Sequence, residues 1–177
     1  MWELLLLRHG KSDWPNGIED IDRPLRPRGQ KDSVRIGIWL VNNNLQPKLI
    51  YSSPALRAIA TAGRVKKIIR SEPTSCKIEP IFYYGSHNDY LDKIRSFPSG
   101  STRVMVVAHN PALESIVSEL SGGPQSCFNE KLHMRTCSLA IFCFEKTWKD
   151  INPGAGKILH LIHPKTLPRT LGHTDRI

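Results

Sequence analysis

Two short apolar runs in this sequence each end in a histidine. Residues 4–7, all leucine, lead into Arg8-His9-Gly10, and residues 104–108 lead into His109-Asn110-Pro111. Runs of this kind are typical of strands buried on both faces, which occur in parallel sheets covered by helices. Ligands in such sheets bind beyond the carboxyl ends of the strands. Although a lone histidine there would more often satisfy a local hydrogen bond, two at matching strand ends indicate a functional site.

The rest of the chain alternates between strand and helix patterns. Strands are predicted at residues 2–7, 49–51, 77–81, 103–108, 138–144 and 157–162. Helices are predicted from Pro27 to about Asn42, from Ser53-Pro54 to about Arg70, over 86–96, and over 112–120 after Asn110-Pro111 and before Gly122-Gly123. This alternation predicts a three-layer α/β/α sandwich with a mostly parallel central sheet. We expect one domain over residues 1–177, with 164–177 as a peripheral tail that wraps the surface or frays.

Composition limits the class of protein. The 177 residues are 40% hydrophobic and 23% charged, which is typical of a globular chain. The apolar start lacks a basic leader and contains Glu3, so we expect a first strand, no membrane span and a cytoplasmic location. The four cysteines form no metal-binding or redox pair and are expected to be reduced structural thiols. The net charge of +9 favours anionic partners, but the basic residues are scattered, so we expect no nucleic-acid binding.

Arginines near the histidines fit a phosphate group. Arg8 adjoins His9, and Arg57 falls in the first turn of the helix that follows Ser53-Pro54. A guanidinium beside the free N–H groups of a helix start is a favourable anion site, because it adds bidentate donors to the positive end of the helix dipole. A solvated surface arginine is the simpler explanation for Arg57 alone.

Several motifs together resemble a known family. They are Leu7-Arg8-His9-Gly10-Lys11-Ser12-Asp13-Trp14, Asp22-Arg23-Pro24-Leu25 with Arg28-Gly29, the run from Ser52 to Ala62, Val107-Ala108-His109-Asn110-Pro111, and Pro164-Lys165 with Leu167. In this order and spacing they resemble the histidine phosphatase superfamily, which has the phosphoglycerate mutase-like fold. Within it the chain is most similar to the small bacterial phosphohistidine phosphatases of the SixA type, over most of its length.

The resemblance implies a role for each matching residue. His9 would be the nucleophile that becomes phosphorylated, Arg8 and Arg57 would bind the phosphoryl oxygens, and His109 would donate a further hydrogen bond. The same site would take up Arg23, Ser12 and Asn110 as substrate-binding residues. Two arginines and a protonated histidine can neutralise the transferring group, so no cofactor and no metal is expected. The expected partner is a protein carrying phosphohistidine or a small phosphorylated substrate, and the oligomeric state stays open.

Two departures from the family bear on the substrate. Mutase-like relatives protonate an alcohol leaving group with an acidic residue after the third strand, yet residues 81–86 contain none; Glu79, Asp89 and Asp13 are possible substitutes. A phosphorylated imidazole can leave as a neutral ring, so the missing acid favours phosphohistidine over a sugar phosphate. Arg26 lacks the oxygen that usually caps the next helix, which predicts a modest loss of stability. Arg135 replaces a proline common in relatives, with no functional interpretation.

Alternatives remain open at the level of sequence. The chain could be a small-molecule phosphatase of the same superfamily, or a catalytically silent domain that binds phosphorylated partners. With no long insertion between core elements, we expect an open pocket suited to a protein substrate. Trp39 and Phe142 are predicted to pack in or beside the core, and Gly154-Ala155-Gly156 to form a tight turn. The remaining histidines are predicted to be structural or exposed: His87, His133, His160, His163 and His173.

Overall fold

The computed structural model describes residues 1–70, 74–122 and 133–168. Six strands form one mixed sheet in the order β3-β2-β4-β1-β5-β6. Strands β1 to β4 are mutually parallel, β5 pairs antiparallel to β1, and β6 pairs antiparallel to β5. The expected α/β fold with a mostly parallel sheet is therefore confirmed. The strands are β1 Trp2–Arg8, β2 Leu49–Ser52, β3 Ser75–Ile78, β4 Arg103–Ala108, β5 Leu139–Phe144 and β6 Lys157–Ile162.

Helices cover both faces of the sheet. Helices α1 and α2 pack with Leu5, Leu7 and Val107 on one face, while α3, α4 and α5 pack with Leu4 and Leu6 on the other. The alternation of side chains along β1 therefore buries successive leucines in opposite layers, and burial of each contributes about 2 kcal/mol. The helices are α1 Pro27–Asn42, α2 Leu56–Ile69, α3 Ile81–Tyr84, α4 His87–Arg95 and α5 Ala112–Leu120; short 3-10 turns span Asp20–Asp22, Trp148–Asp150 and Pro164–Thr166.

Local sequence explains where several helices start and stop. Pro27 occupies the first turn of α1, and Arg26 precedes it without a side-chain cap, as expected. Helix α4 begins with a capping box in which Ser86 and Asp89 exchange hydrogen bonds. After α5 the chain turns at Gly122, whose φ of 94° suits a residue without a side chain.

Two predicted boundaries were wrong. Strand β3 covers Ser75–Ile78 rather than 77–81, because Pro80 cannot donate to a ladder and the residues after it form α3. Helix α2 begins at Leu56 rather than at Ser53-Pro54. The Ser53 hydroxyl oxygen accepts from the Ala55 N–H at 3.2 Å and also contacts His109, so it does not cap the helix.

The predicted structural residues mostly have ordinary packing roles. Phe142 is fully buried and Trp39 packs edge-on to His160 with 5.2 Å between ring centroids. His87 and His133 pair with glutamates, and His163 contacts the Ser138 hydroxyl. Gly154 has a φ of 73° within a turn. His173, Cys127, Gly123 and most of the expected tail lie outside the described residues.

Three features bear on partners and ligands. Cys76, Cys137 and Cys143 are free thiols. Within residues 1–70, 74–122 and 133–168, no group of three or more histidine, cysteine or acidic side chains is arranged to hold a metal ion. No helix in the same ranges combines the length and apolar character needed to span a bilayer.

Candidate functional site

All seven candidate residues from the sequence line one pocket at the carboxyl ends of β1 and β4. The pocket has a volume of about 340 Å³ and is closed on its far side by the start of α2. His9 and Arg57 lie deep within it, with 8% and 5% of their surfaces exposed. Three further residues line the pocket that the sequence did not single out. The ten are Arg8, His9, Ser12, Arg23, Arg57, His109 and Asn110 from the sequence, with Lys11, Asp20 and Thr136.

The backbone around His9 is held by close contacts. A Cβ on Gly10 would lie 2.8 Å from the carbonyl oxygen of Gly29, so glycine allows the loop to pack against the start of α1. The Gly10 N–H donates to the Thr61 hydroxyl at 3.0 Å, and that hydroxyl donates to the Arg57 carbonyl at 2.7 Å. Thr61 therefore ties the His9 loop directly to the helix that carries Arg57.

The tautomer of His9 follows from one hydrogen bond. Its Nδ1 lies 2.8 Å from the Gly10 carbonyl oxygen, which can only accept a proton. Nδ1 is therefore the protonated nitrogen, and the neutral ring keeps a lone pair on Nε2. This arrangement gives His9 the nitrogen that a nucleophile requires.

Both histidines are neutral in the site near pH 7. Burial, with help from His109, Arg57 and Arg8, lowers the pKa of His9 to about 3. Burial and Arg57 lower the pKa of His109 to about 4, although Asp20 opposes the shift. Desolvation and the neighbouring guanidiniums thus disfavour a third positive charge in this pocket.

His109 lies beside the nucleophile and is fixed at one nitrogen. The ring centroids of His9 and His109 are 4.9 Å apart. Nε2 of His109 lies 2.7 Å from the Ser53 hydroxyl, and its buried Nδ1 has no partner among the described residues. A neutral imidazole in this position can still donate one hydrogen bond to an oxyanion.

The carbonyl of Met134 orients Arg8 and Asn110. Arg8 Nη1 donates to it at 2.7 Å and Asn110 Nδ2 at 3.0 Å. Glu114 accepts from the Met134 N–H at 2.9 Å, so both backbone polar groups of Met134 are hydrogen-bonded. Burial lowers the pKa of Arg8 from its ordinary value. Sequence reasoning missed Met134 because its contribution comes from the backbone.

Asp20 links the two remaining arginines. Arg57 donates to the backbone carbonyl of Asp20 and, through Nη2, to its Oδ2 at 2.8 Å. Arg23 donates to Oδ1 at 2.9 Å and to the Ser12 hydroxyl at 2.9 Å. The Tyr83 hydroxyl donates to Oδ2 at 2.8 Å, and its ring lies edge-on to His109. Asp20, on the turn Asp20–Asp22, is one of the residues that line the pocket.

The acidic residues proposed from sequence are placed elsewhere. Glu79 pairs with Lys93, Asp89 caps α4, and Asp13 pairs with Arg26 on the surface. None of the three lines the pocket, whereas Asp20 does. Burial alone would raise the pKa of Asp20, but hydrogen bonds from Arg23, Arg57 and Tyr83 hold it well below its usual range. The carboxylate is therefore ionised near neutral pH.

Unpaired buried polar atoms collect in this pocket. Among the described residues, five buried side-chain nitrogen or oxygen atoms have no hydrogen-bond partner. Four of the five belong to residues that line the pocket: Nε of Arg8, Nε of Arg57, Nδ1 of His109 and Oδ1 of Asn110. Leaving such atoms unpaired costs stability, so their convergence indicates a site built for a polar ligand.

Comparison with known proteins agrees with the fold and the motifs. Residues 4–78 match the family described as the histidine phosphatase superfamily (branch 1). The solved structure of the protein histidine phosphatase SixA complexed with tungstate is 22% identical, with a TM-score of 0.77 over 92% of this chain and 97% of that one. The chain therefore has the histidine phosphatase fold and carries the superfamily's sequence pattern over residues 4–78.

Two further similarities show how widely the fold is shared. Phosphoserine phosphatase from Entamoeba histolytica, in complex with 3-phosphoglyceric acid, is 16% identical, with a TM-score of 0.60 over 91% of this chain and 96% of that one. An uncharacterised protein of Mycobacterium tuberculosis (strain H37Rv) is 26% identical over 90% of this chain and 100% of its own length. Both similarities extend over at least 90% of this chain.

Proposed function

We propose that this protein is a metal-independent phosphatase that works through phosphorylated His9 and removes phosphate from phosphohistidine on a signalling or phosphotransfer protein. The observation that carries the proposal is the grouping of two arginines and a second histidine with the neutral His9 in one pocket. The Nε atoms of Arg8 and Arg57 are buried and have no partner among the described residues. Similarity to the structure of SixA complexed with tungstate, an oxyanion, also supports the proposal.

The first step transfers the phosphoryl group to the enzyme. The lone pair on Nε2 of His9 attacks phosphorus, the new P–N bond forms, and the bond to the leaving group breaks. Arg8, Arg57 and His109 donate hydrogen bonds to the phosphoryl oxygens, whose charge they stabilise as the bonds change. In the second step water attacks phosphorus, the bond to Nε2 breaks with its electron pair returning to His9, and inorganic phosphate is released.

The state of Asp20 supports a phosphohistidine substrate. It is the one acidic residue among those described that lines the pocket, and it is held ionised by three donors. An ionised carboxylate has no proton to give to an alkoxide, so an alcohol leaving group would depart slowly. An imidazole leaves as a neutral ring once one of its nitrogens carries a proton, and so needs no acid from Asp20.

The rim of the pocket supports a protein as the carrier. Trp14 is 62% exposed and packs on Arg23, which lines the pocket, while Tyr84 is 71% exposed and packs on Tyr83, which donates to Asp20. The Trp14 ring lies 4.2 Å from the Arg23 guanidinium, and the Tyr84 ring packs edge-on against Tyr83. Exposed aromatic side chains are frequent at protein interfaces.

We also propose that the described elements act as one domain and that the protein is cytoplasmic.

A comparison of substrates tests the function. Purified protein is incubated with a phosphohistidine peptide, a phosphoserine peptide, a phosphotyrosine peptide and a sugar phosphate, and released phosphate is measured. The phosphohistidine peptide should have the largest kcat/KM, by at least about tenfold. Mass spectrometry after brief incubation with an aryl phosphate should find the added phosphoryl group on His9.

Two results would contradict the proposal. Faster cleavage of a sugar phosphate would favour a small-molecule phosphatase, an alternative supported by the similarity to a phosphoserine phosphatase bound to 3-phosphoglyceric acid. Tight binding of phosphopeptides without any turnover or phosphorylated His9 would indicate a binding domain. The His9→Ala variant serves as the control for contaminating phosphatase.

A further inference from the structure

We propose that Asp20 is a positioning residue that holds Arg23 and Arg57 in place and also competes with phosphate for them. The inference rests on the proposed function, because it concerns the same pocket. It predicts that removing the charge of Asp20 strengthens phosphate binding while it slows catalysis.

The contacts of Asp20 divide evenly between the two arginines. Its Oδ1 accepts from Arg23 Nη1 at 2.9 Å, and its Oδ2 accepts from Arg57 Nη2 at 2.8 Å. The Tyr83 hydroxyl completes the set at 2.8 Å from Oδ2. One carboxylate therefore fixes two long side chains that would otherwise sample many rotamers.

The carboxylate occupies donors that an oxyanion would also use. Arg57 directs both of its terminal nitrogens at Asp20, one to the backbone carbonyl and one to the side chain, while Nε has no partner among the described residues. Each terminal nitrogen keeps a second N–H, so a phosphoryl group bound by Arg57 either shares the guanidinium with the carboxylate or displaces it from Nη2. Carboxylate and phosphate oxygens compete for the same guanidinium geometry.

The position of Asp20 allows such an exchange. Its side chain is 40% exposed, whereas the Arg57 side chain is only 6% exposed. The residue sits on a short 3-10 turn with no buried residues of its own, Asp20–Asp22. Asp20 is therefore accessible to solvent, so water can replace its hydrogen bonds to the arginines, while Arg57 stays in the pocket.

The charges give the sign of each effect. Arg8, Arg23 and Arg57 carry three positive charges, and Asp20 offsets one of them. Replacing Asp20 with asparagine keeps the shape and one accepting oxygen but leaves the arginines facing phosphate without a competing anion. Phosphate should bind more tightly, whereas the arginines should be less well oriented for the transition state. A residue that only supported the fold would weaken both properties together.

The experiment measures both properties on the same proteins. Isothermal titration calorimetry gives the Kd of inorganic phosphate, and turnover of a phosphohistidine peptide gives kcat. For Asp20→Asn we expect a Kd about 5-fold lower and a kcat about 10-fold lower than in the wild-type protein. Asp20→Glu retains the charge but displaces the carboxylate, so it should lower kcat while the phosphate Kd stays within about twofold.

Asp22→Asn is the matched control. Asp22 lies in the same turn and is exposed, so this variant should match the wild-type protein in both measurements. Thermal unfolding shows whether each variant is folded. If Asp20→Asn does not fold, the measurements on Asp20→Glu decide the outcome.

The possible outcomes separate the two proposals. A wild-type Kd and kcat in Asp20→Asn would overturn the role of Asp20 and leave the phosphatase proposal intact. A higher phosphate Kd together with a lower kcat would also overturn it, since that pattern indicates structural support only. If the wild-type protein neither binds phosphate nor turns over any phosphorylated substrate, the proposed function fails and this inference fails with it.

Discussion

Charged side chains flank β1 and β4 at both ends, but the two ends satisfy them differently. At the amino end, Glu3 and Arg103 occupy paired positions in the register and form an ion pair, and Arg103 also donates to the Asn44 carbonyl at 2.9 Å. At the carboxyl end, Arg8 and Arg57 each keep a buried Nε without a partner among the described residues. The amino end of these two strands thus carries an ion pair, whereas at the carboxyl end Arg8 of β1 and Arg57 of α2 each keep an unpaired donor.

This contrast separates stability from function. A charged side chain that is paired within the fold can be retained because the ion pair supports the structure. A buried donor that is left unpaired lowers stability, so its presence needs another explanation. At the carboxyl end that explanation is an anionic ligand. The following four tests ask whether the two ends of these strands differ in this way.

The largest effect is expected from His9→Ala. Removing the nucleophile should lower kcat by at least about 10³-fold, because the covalent route is lost. Phosphate release from a phosphohistidine peptide and thermal unfolding are measured together. The melting temperature should not fall, because His9 lies in a pocket whose unpaired buried polar atoms destabilise the folded protein. Turnover within tenfold of the wild-type protein would show that the carboxyl end is not catalytic through His9.

A matched pair of arginine variants compares the two ends directly. Arg57→Ala should lower kcat/KM by about 10²-fold or more, because a donor to the transferring phosphoryl group is lost. Arg103→Ala should leave kcat/KM within twofold and instead lower the free energy of unfolding by about 1–2 kcal/mol, since Glu3 loses its partner. Steady-state kinetics and urea unfolding of both variants provide the check. If Arg103→Ala lost as much activity as Arg57→Ala, the proposed difference in function between the two ends of the strands would be contradicted.

The carboxyl end should also make stability depend on pH. His9 and His109 have folded-state pKa values of about 3 and about 4, below the ordinary value of 6.5. Between pH 6.5 and 4 the unfolded chain therefore binds protons that the folded site does not. The free energy of unfolding should fall as pH falls through this window, by up to about 1.4 kcal/mol per unit for each histidine.

Urea unfolding at several pH values measures this dependence. The His9→Asn and His109→Asn variants serve as controls, because each should reduce the slope. An imidazole NMR titration in which both rings become protonated near pH 6.5 would contradict the lowered pKa values.

The smallest effect is expected at the rim. Trp14→Ala should lower kcat/KM for a phosphohistidine protein about 3-fold and leave that for a small aryl phosphate unchanged, because the exposed ring contacts only a large substrate. Trp14→Phe keeps an aromatic face over Arg23 and should retain most of the activity. Equal losses on both substrates would instead mean that Trp14 acts by orienting Arg23.

Much of the fold could be predicted because its signals are local. Apolar runs identified β1, β4 and β6, and proline and glycine positions identified α1 and α5, with bounds close to those observed. The β3 boundary was missed although Pro80 gives a local reason for it, whereas the start of α2 was missed because a tertiary contact decided it. In α2, the Ser53 hydroxyl is engaged by His109 from a distant strand and does not cap the helix.

The sequence by itself predicted seven of the ten residues that line the pocket. Strand ends and a helix start place Arg8, His9, Arg57 and His109 by local rules, and the family resemblance supplied the other three. Only the tertiary structure decided how they are arranged and charged. Asp20 reaches Arg57 across 37 positions, and the Met134 carbonyl reaches Arg8 across 126. No local pattern encodes such contacts, because they depend on which loops the packed sheet brings together. The same packing excludes water from His9 and His109, and it is this desolvation, absent from the linear chain, that keeps both rings neutral.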